Sequence, residues 1–238
     1  MNMAPIPIEP PPCAYRFPSA KSGQGPHGVV CLGGDFSPGT ILDAYRHGLF
    51  PWPISEDTVP WCSPDPRCVY SLTEPDRISR SLRRGIRAGG FRISVNEAFA
   101  GVMHACADRE RDTWILPGYV RGMRELRALG WAHSLEVWDA ASGELIGGIY
   151  GLAVGSMFAG ESMFHSRTDA SKIAFFALMK LLRASGFQLV DVQVESDHLL
   201  SLGCVTMARA TFLHRLEALL RTRASFPKDV PSDLFAGV

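Results

Sequence analysis

The chain has 238 residues, 46% of them hydrophobic, and its formal charges sum to zero. That is enough apolar material for one large domain, or for one domain with a small companion. No apolar run reaches the roughly 18 residues of a membrane span, and the neutral balance argues against a generic nucleic-acid coat.

The N-terminal stretch "MNMAPIPIEPPPCAYRFPSA" has no basic start followed by an apolar core, so it does not read as a secretory signal. Its prolines make it an extended arm or a disordered tail. "GGDFSPGTILDAYRHGLFPW" then opens a helix. Ser37 caps it, Pro38 suits its first position, and Ile41, Leu42, Tyr45 and Leu49 recur at helical spacing. Gly48 and Pro51 end it. "PISEDTVPWCSPDPR" carries four prolines in fifteen residues and reads as a rigid connection. It sets the expected boundary between a small N-terminal domain, residues 1–65, and a larger domain, residues 66–238.

From Arg67 to Arg92 there are seven arginines against Glu74 and Asp76. On charge alone the segment is either a phosphate-binding surface or a solvated helix face. A basic helix is expected over Asp76 to Ala88, followed by a strand "FRISV". "NEAFAGVMHACA" reads as a helix capped by Asn96, and "PGYVRGMRELRALG" as another, with Pro117 early and Gly130 at its end.

The pattern changes from residue 131. "AHSLEVW" reads as a strand, "DAASGE" as a turn and "LIGGIYGLAV" as a second strand. Gly155-Ser156 is a hairpin signal, and "MFAGESMF" is a third strand. "DASKIAFFALMKLLRASG" is a mostly buried helix, "FQLVDVQV" a fourth strand, and helices near Asp197–Leu202 and over "RATFLHRLEALLRT" complete the run. The order predicts an α+β fold, a mainly antiparallel sheet flanked by helices, an arrangement found in the GNAT class of acyltransferases among other folds.

"GSMFAGES" fits the phosphate-loop pattern except that Glu161 replaces the lysine. A phosphate loop needs a strand, a glycine turn and then a helix. Here the turn comes first and strand follows, and a carboxylate would repel phosphate. Six cysteines stand at 13, 31, 62, 68, 106 and 204 with no C-x-x-C pair. They predict reduced cytoplasmic thiols, with neither a zinc site nor a disulfide framework.

Taken together, "LGGDFSP", "AYRHGLFPW", "WCSPDPR", "TWI", "AHSLEVW", "GGIYG", "GESMF", "DASK" and "DVQVESDHLLSLG", in this order, make the chain resemble the bacterial leucyl/phenylalanyl-tRNA–protein transferases. The resemblance implies an enzyme that moves Leu or Phe, and Met less well, from aminoacyl-tRNA to the α-amine of proteins beginning with Arg or Lys. The product enters N-degron degradation. It further implies a small N-terminal domain before a GNAT-like domain, no cofactor and no metal. A monomer in the cytoplasm is expected. The chain departs from the family at Cys62, where a second aromatic is usual, at "FAGES", where a cysteine commonly precedes the glycine, and at Ser196, where Asn occurs.

Aminolysis of an activated ester needs a neutral amine, a place for the oxyanion and alignment. Asp191 and Gln193 are two apart on one strand and point the same way. By resemblance they align with the family's proposed catalytic pair. Glu161 is an acid in an apolar strand, costly unless paired; it is either salt-bridged to an arginine or an anion facing the acceptor. Ile149, Phe158, Phe175, Leu178 and Val190 align with the aminoacyl pocket, although read alone they are core residues. Trp52 and Trp114, and less so Tyr45, are candidates to stack on the terminal adenine of tRNA. Arg77, Arg80, Arg83, Arg84 and Arg87 suit the acceptor-stem backbone. His133, His165 and His198 are weaker candidates for a base. Two rival readings remain: an acyl-CoA N-acyltransferase, for which "FHSRTDASK" lacks the glycine-rich loop, and an inert peptide- or RNA-binding module.

Overall fold

The computed structural model describes residues 5–75, 78–108 and 113–238. It opens with β1 (Val29–Leu32), α1 (Pro38–Arg46), β2 (Phe50–Pro51) and β3 (Pro60–Cys62). Next come β4 (Arg67–Ser71), α2 (Arg80–Ala88), β5 (Phe91–Val95), α3 (Phe99–Ala107) and α4 (Pro117–Ala128). The rest is β6 (Ala132–Asp139), β7 (Leu145–Val154), β8 (Met157–His165), α5 (Ala170–Ala184), β9 (Leu189–Gln193), α6 (Asp197–Ser201), β10 (Val205–Met207) and α7 (Arg209–Arg221).

Strands β1, β3 and β2 make a small sheet with β3 in the middle, and the other strands make a second sheet in the order β10-β4-β9-β8-β7-β6-β5. Among the described residues, β8 and β9 are the one parallel pair in that larger sheet. This is the expected α+β architecture. Strand alternation sends β7 and β8 side chains to opposite faces. Ile149 and Phe158 face α5 and α2, within a core that includes Phe175, Leu178 and Val190. Tyr150 and Ala159 face the other way and share a core with Ile41, Leu42 and Trp61 from the N-terminal segment and with Tyr119 of α4. The N-terminal segment is thus packed onto the face of the large sheet opposite α5.

The Ser37 hydroxyl accepts the Thr40 N–H and Pro38 sits in the first turn of α1, as the sequence predicts. Helix α2 starts four residues later than expected, at Arg80, because the Ser79 hydroxyl accepts the Leu82 N–H. Asp76 and Arg77 lie outside the described residues. Asn96 does not cap α3. Its backbone is left-handed (φ 61°) and its side-chain oxygen accepts the Ser134 N–H instead. The buried Glu136 carboxylate receives the Glu97 and Ala98 N–H groups at the start of that helix. "PISEDTVPWCSPDPR" is more than a connection, since it supplies β3 at the centre of the small sheet.

Candidate active site

Two β-bulges build the site. Between β7 and β8, Tyr150 faces Ser162 and Gly151 faces Gly160, so Glu161 is left without a cross-strand partner. Between β4 and β9, Cys68 faces Gln193 and Val69 faces Asp191, so Val192 is the extra residue. A bulge bends its strand and re-aims the side chains beside it. The first one needs glycine: a Cβ on Gly151 would meet the Ala159 carbonyl oxygen at 2.0 Å. The second holds Gln193 in the left-handed region, φ 63°, at a conformational cost of about 1–3 kcal/mol. Pairing between the parallel strands β8 and β9 stops at Ala159 and Asp191. Past that point a cavity of about 400 Å³ opens, with Glu161 and Gln193 in its wall.

The half-buried Glu161 carboxylate is held by three donors. Its Oε1 accepts the Tyr45 hydroxyl at 2.7 Å and the Gln193 Nε2 at 2.9 Å, and its Oε2 accepts the Tyr119 hydroxyl at 2.6 Å. Burial raises its pKa from 4.5 to about 7, with the charge of Asp191 adding to the rise and the three hydrogen bonds opposing it. Burial and the nearby carboxylate push both tyrosines well above 10, so they remain protonated donors.

Behind this group Asp191 is fully buried and takes two bonds from a fully buried Arg67, Nε to Oδ1 at 2.8 Å and Nη2 to Oδ2 at 2.6 Å. The same Oδ1 accepts the Gln193 N–H at 3.1 Å. The Arg67 guanidinium lies 4.8 Å from the Phe50 ring centroid and 4.5 Å from that of Phe212, and its Nη1 donates to the Gly48 carbonyl. The chain of contacts therefore runs from the end of α1 through Arg67, Asp191 and Gln193 to Glu161.

The structure brings most of the sequence-predicted residues together. Glu161, Gln193, Ile149, Phe175, Trp52 and Trp114 line the cavity. Asp191 stands one layer behind it. Phe158, Leu178 and Val190 belong to the core behind the Ile149–Phe175 wall. The Trp52 ring is stacked at 5.5 Å on His27, and Trp114 leans on Tyr119 at 5.4 Å. Tyr45, expected as a weaker stacking candidate, does not take that role. Its ring is 1% exposed and its hydroxyl is committed to Glu161, which leaves no face for a nucleobase.

Arg80, Arg83, Arg84 and Arg87 are exposed on α2, while Leu82 and Ile86 turn inward. Arg87 Nε bonds the main-chain oxygen of Val238. Arg67, counted in the basic run, is instead the buried partner of Asp191. The alternative of a salt bridge from Glu161 to an arginine is not what forms; hydroxyl and amide donors do that work. His133 stacks on Phe226 at 4.1 Å, away from the cavity, and burial with the nearby Arg127 lowers its pKa to about 3. His165 Nδ1 lies 3.3 Å from the Ser171 hydroxyl. His198 lines the cavity.

Sequence reasoning passed over Tyr119 and counted Arg67 only as part of the basic run. Tyr119 looked like any apolar residue on a helix face. The six cysteines are free thiols. Among the described residues no group of three His, Cys, Asp or Glu side chains is placed to hold a metal ion, and no helix is long and apolar enough to cross a membrane.

The fold thus presents an apolar cavity that ends in a carboxylate–amide pair, where a mixed sheet opens between its two parallel strands. Residues 72–217 match the family model described as leucyl/phenylalanyl-tRNA protein transferase, and residues 34–65 match the model of that family's N-terminal domain. The chain belongs to the leucyl/phenylalanyl-tRNA–protein transferase family and is an aminoacyltransferase. A leucyl/phenylalanyl-tRNA–protein transferase of Pseudoalteromonas atlantica is 44% identical, over 86% of this chain and 87% of its own. One of Solidesulfovibrio magneticus is 45% identical, over 85% and 82%. Among solved structures, a GCN5-related N-acetyltransferase from Sphaerobacter thermophilus aligns over 72% of this chain and 54% of its own, with 13% identity and a TM-score of 0.41.

Proposed function

We propose that the chain moves Leu or Phe, and Met less well, from aminoacyl-tRNA to the α-amine of proteins beginning with Arg or Lys. The new N-terminal residue would feed N-degron degradation, with the enzyme acting as a cytoplasmic monomer. The observation that carries this reading is Glu161: a half-buried carboxylate, fixed by two tyrosines and Gln193, in the wall of an otherwise largely apolar cavity.

In the reaction, the amine nitrogen attacks the ester carbonyl carbon. A C–N bond forms, the C–O bond to the terminal ribose breaks, and the amine's proton ends on the ribose hydroxyl. The ester is already activated, so positioning and charge placement suffice. Gln193 has Nε2 committed to Glu161, which leaves its Oε1 to accept an N–H of the attacking amine. Asp191 acts through Gln193: it takes that residue's main-chain N–H and is itself held by Arg67. Glu161 supplies the negative charge that draws in the amine.

The side chain of the transferred residue fits the wall made by Ile149 and Phe175, backed by Phe158, Leu178 and Val190. Such a pocket separates side chains by only about 1–3 kcal/mol per methylene, so Met is tolerated. Trp52 and Trp114, both on the cavity wall, would stack on the terminal adenine, and the α2 arginines would follow the acceptor stem. In this reading residues 1–65 form the N-terminal domain and residues 66–238 the transfer domain.

The test is Glu161→Gln, assayed against each substrate in turn. The apparent KM for an Arg-starting peptide rises while that for aminoacyl-tRNA stays near its starting value. Equal losses toward both substrates would count against the acceptor role.

A further inference from the structure

The titratable groups on the cavity wall are Glu161, Glu195 and His198, and among the described residues no lysine or arginine lines it. Burial, with Lys172 and His165 nearby, pushes the His198 imidazole below its ordinary 6.5. The wall therefore offers two carboxyl groups and an imidazole whose charged form is disfavoured.

The two acids differ in what they have left to give. Glu161 already receives three hydrogen bonds. Glu195 is exposed, stands two residues past Gln193 on the same wall, and joins none of the ion pairs found among the described residues. Lys172 of α5 does not neutralise it, being held by Asp169 at 2.6 Å.

An acceptor that begins with Arg or Lys brings two cations, its α-amine and its side-chain head group. The Glu161–Gln193 end of the cavity has the acceptors for the first. The second needs another anion, one side-chain length away. Two residues of extended chain span at most about 7 Å, which is also the scale of a stretched lysine or arginine side chain.

We propose that Glu195 is a specificity residue that binds the basic side chain of the acceptor's first residue while Glu161 and Gln193 hold its amine. This rests on the acceptor reading given under Proposed function. A carboxylate at that place discriminates by charge, and a guanidinium can engage it through two parallel N–H donors.

The experiment compares two peptides that differ only in the first residue: arginine, or citrulline, which has nearly the same shape without the charge. Glu195 is exposed, so Glu195→Gln and Glu195→Lys leave the core untouched. Glu195→Gln is expected to raise the KM for the arginine peptide about three- to tenfold, the range of a partly solvated charge-assisted contact. The KM values for the citrulline peptide and for aminoacyl-tRNA stay where they are, so the arginine preference shrinks. Glu195→Lys carries the loss further. An arginine-to-citrulline ratio unchanged in both variants would overturn the assignment. A wild-type protein that forms no product with the arginine peptide would instead overturn the acceptor reading beneath it.

Discussion

Replacing Arg67 with methionine probes the support of the site directly. Methionine keeps much of the volume between the Phe50 and Phe212 rings, whose centroids lie 4.8 and 4.5 Å from the guanidinium. It removes both bonds to Asp191, at 2.8 and 2.6 Å, and leaves a fully buried carboxylate with only the Gln193 N–H at 3.1 Å. Removing one partner of a buried ion pair costs about 3–5 kcal/mol, because the remaining charge is desolvated and uncompensated. Asp191→Asn should cost a similar amount, since it leaves the guanidinium unpaired. Removing both charges removes the conflict, so Arg67→Met/Asp191→Asn should be at least ~2 kcal/mol more stable than the two single losses summed. Urea unfolding measures this, and at an m-value of about 3 kcal/mol per molar a 3 kcal/mol loss moves the midpoint by about 1 M. A single-variant loss under ~1 kcal/mol, or strict additivity, would refute the view that this pair holds the site together.

Glu161 gives a pH signature. Its folded-state pKa of about 7 lies above the ordinary 4.5. Between those values the unfolded chain has released a proton that the folded chain keeps, so stability falls as pH rises from about 4.5 to about 7 and this contribution is flat above. In Glu161→Gln that fall should be absent, and identical pH slopes by urea unfolding would contradict the burial argument. Trp52→Ala and Trp114→Ala should each weaken aminoacyl-tRNA binding by about 1–3 kcal/mol, the worth of one base stack, with the acceptor KM unchanged; loss of acceptor affinity alone would place them elsewhere. Each of Arg80, Arg83 and Arg84 changed to Ser should lower the slope of log binding against log salt by about 1, uniformly across tRNA sequences. A flat salt response would remove α2 from the interface.

How much could be read from the sequence depended on how local the information was. Helix α1 was legible because Ser37, Pro38 and the apolar spacing agree within a few residues. The β7–β8 hairpin was legible because Gly155 marks the turn, with a backbone φ of 62°. Glu161 stood out as a charge in an apolar strand. Its partners did not, because Tyr45 lies 116 residues away and Tyr119 lies 42 away, on helices that meet only when both pack on the same face of the sheet. The bulges were hidden for the same reason: register is a property of two strands, and one strand's residues do not reveal it. Arg67 misled on charge. Composition counts it as surface, whereas a planar guanidinium can be buried when a carboxylate and two aromatic rings receive it. Asn96 has the side chain of a helix cap but spends it across a strand pair, where the Ser134 N–H needed an acceptor.

The central claim is transfer itself. Purified protein, tRNA charged with Leu or Phe, and a peptide beginning with Arg are incubated, and the peptide mass is followed. The account predicts a peptide longer by one Leu or Phe residue at its N-terminus, formed without added cofactor and lost when the peptide's α-amine is acetylated. No mass gain with the free-amine peptide and intact charged tRNA, or an equal gain after acetylation, would contradict it.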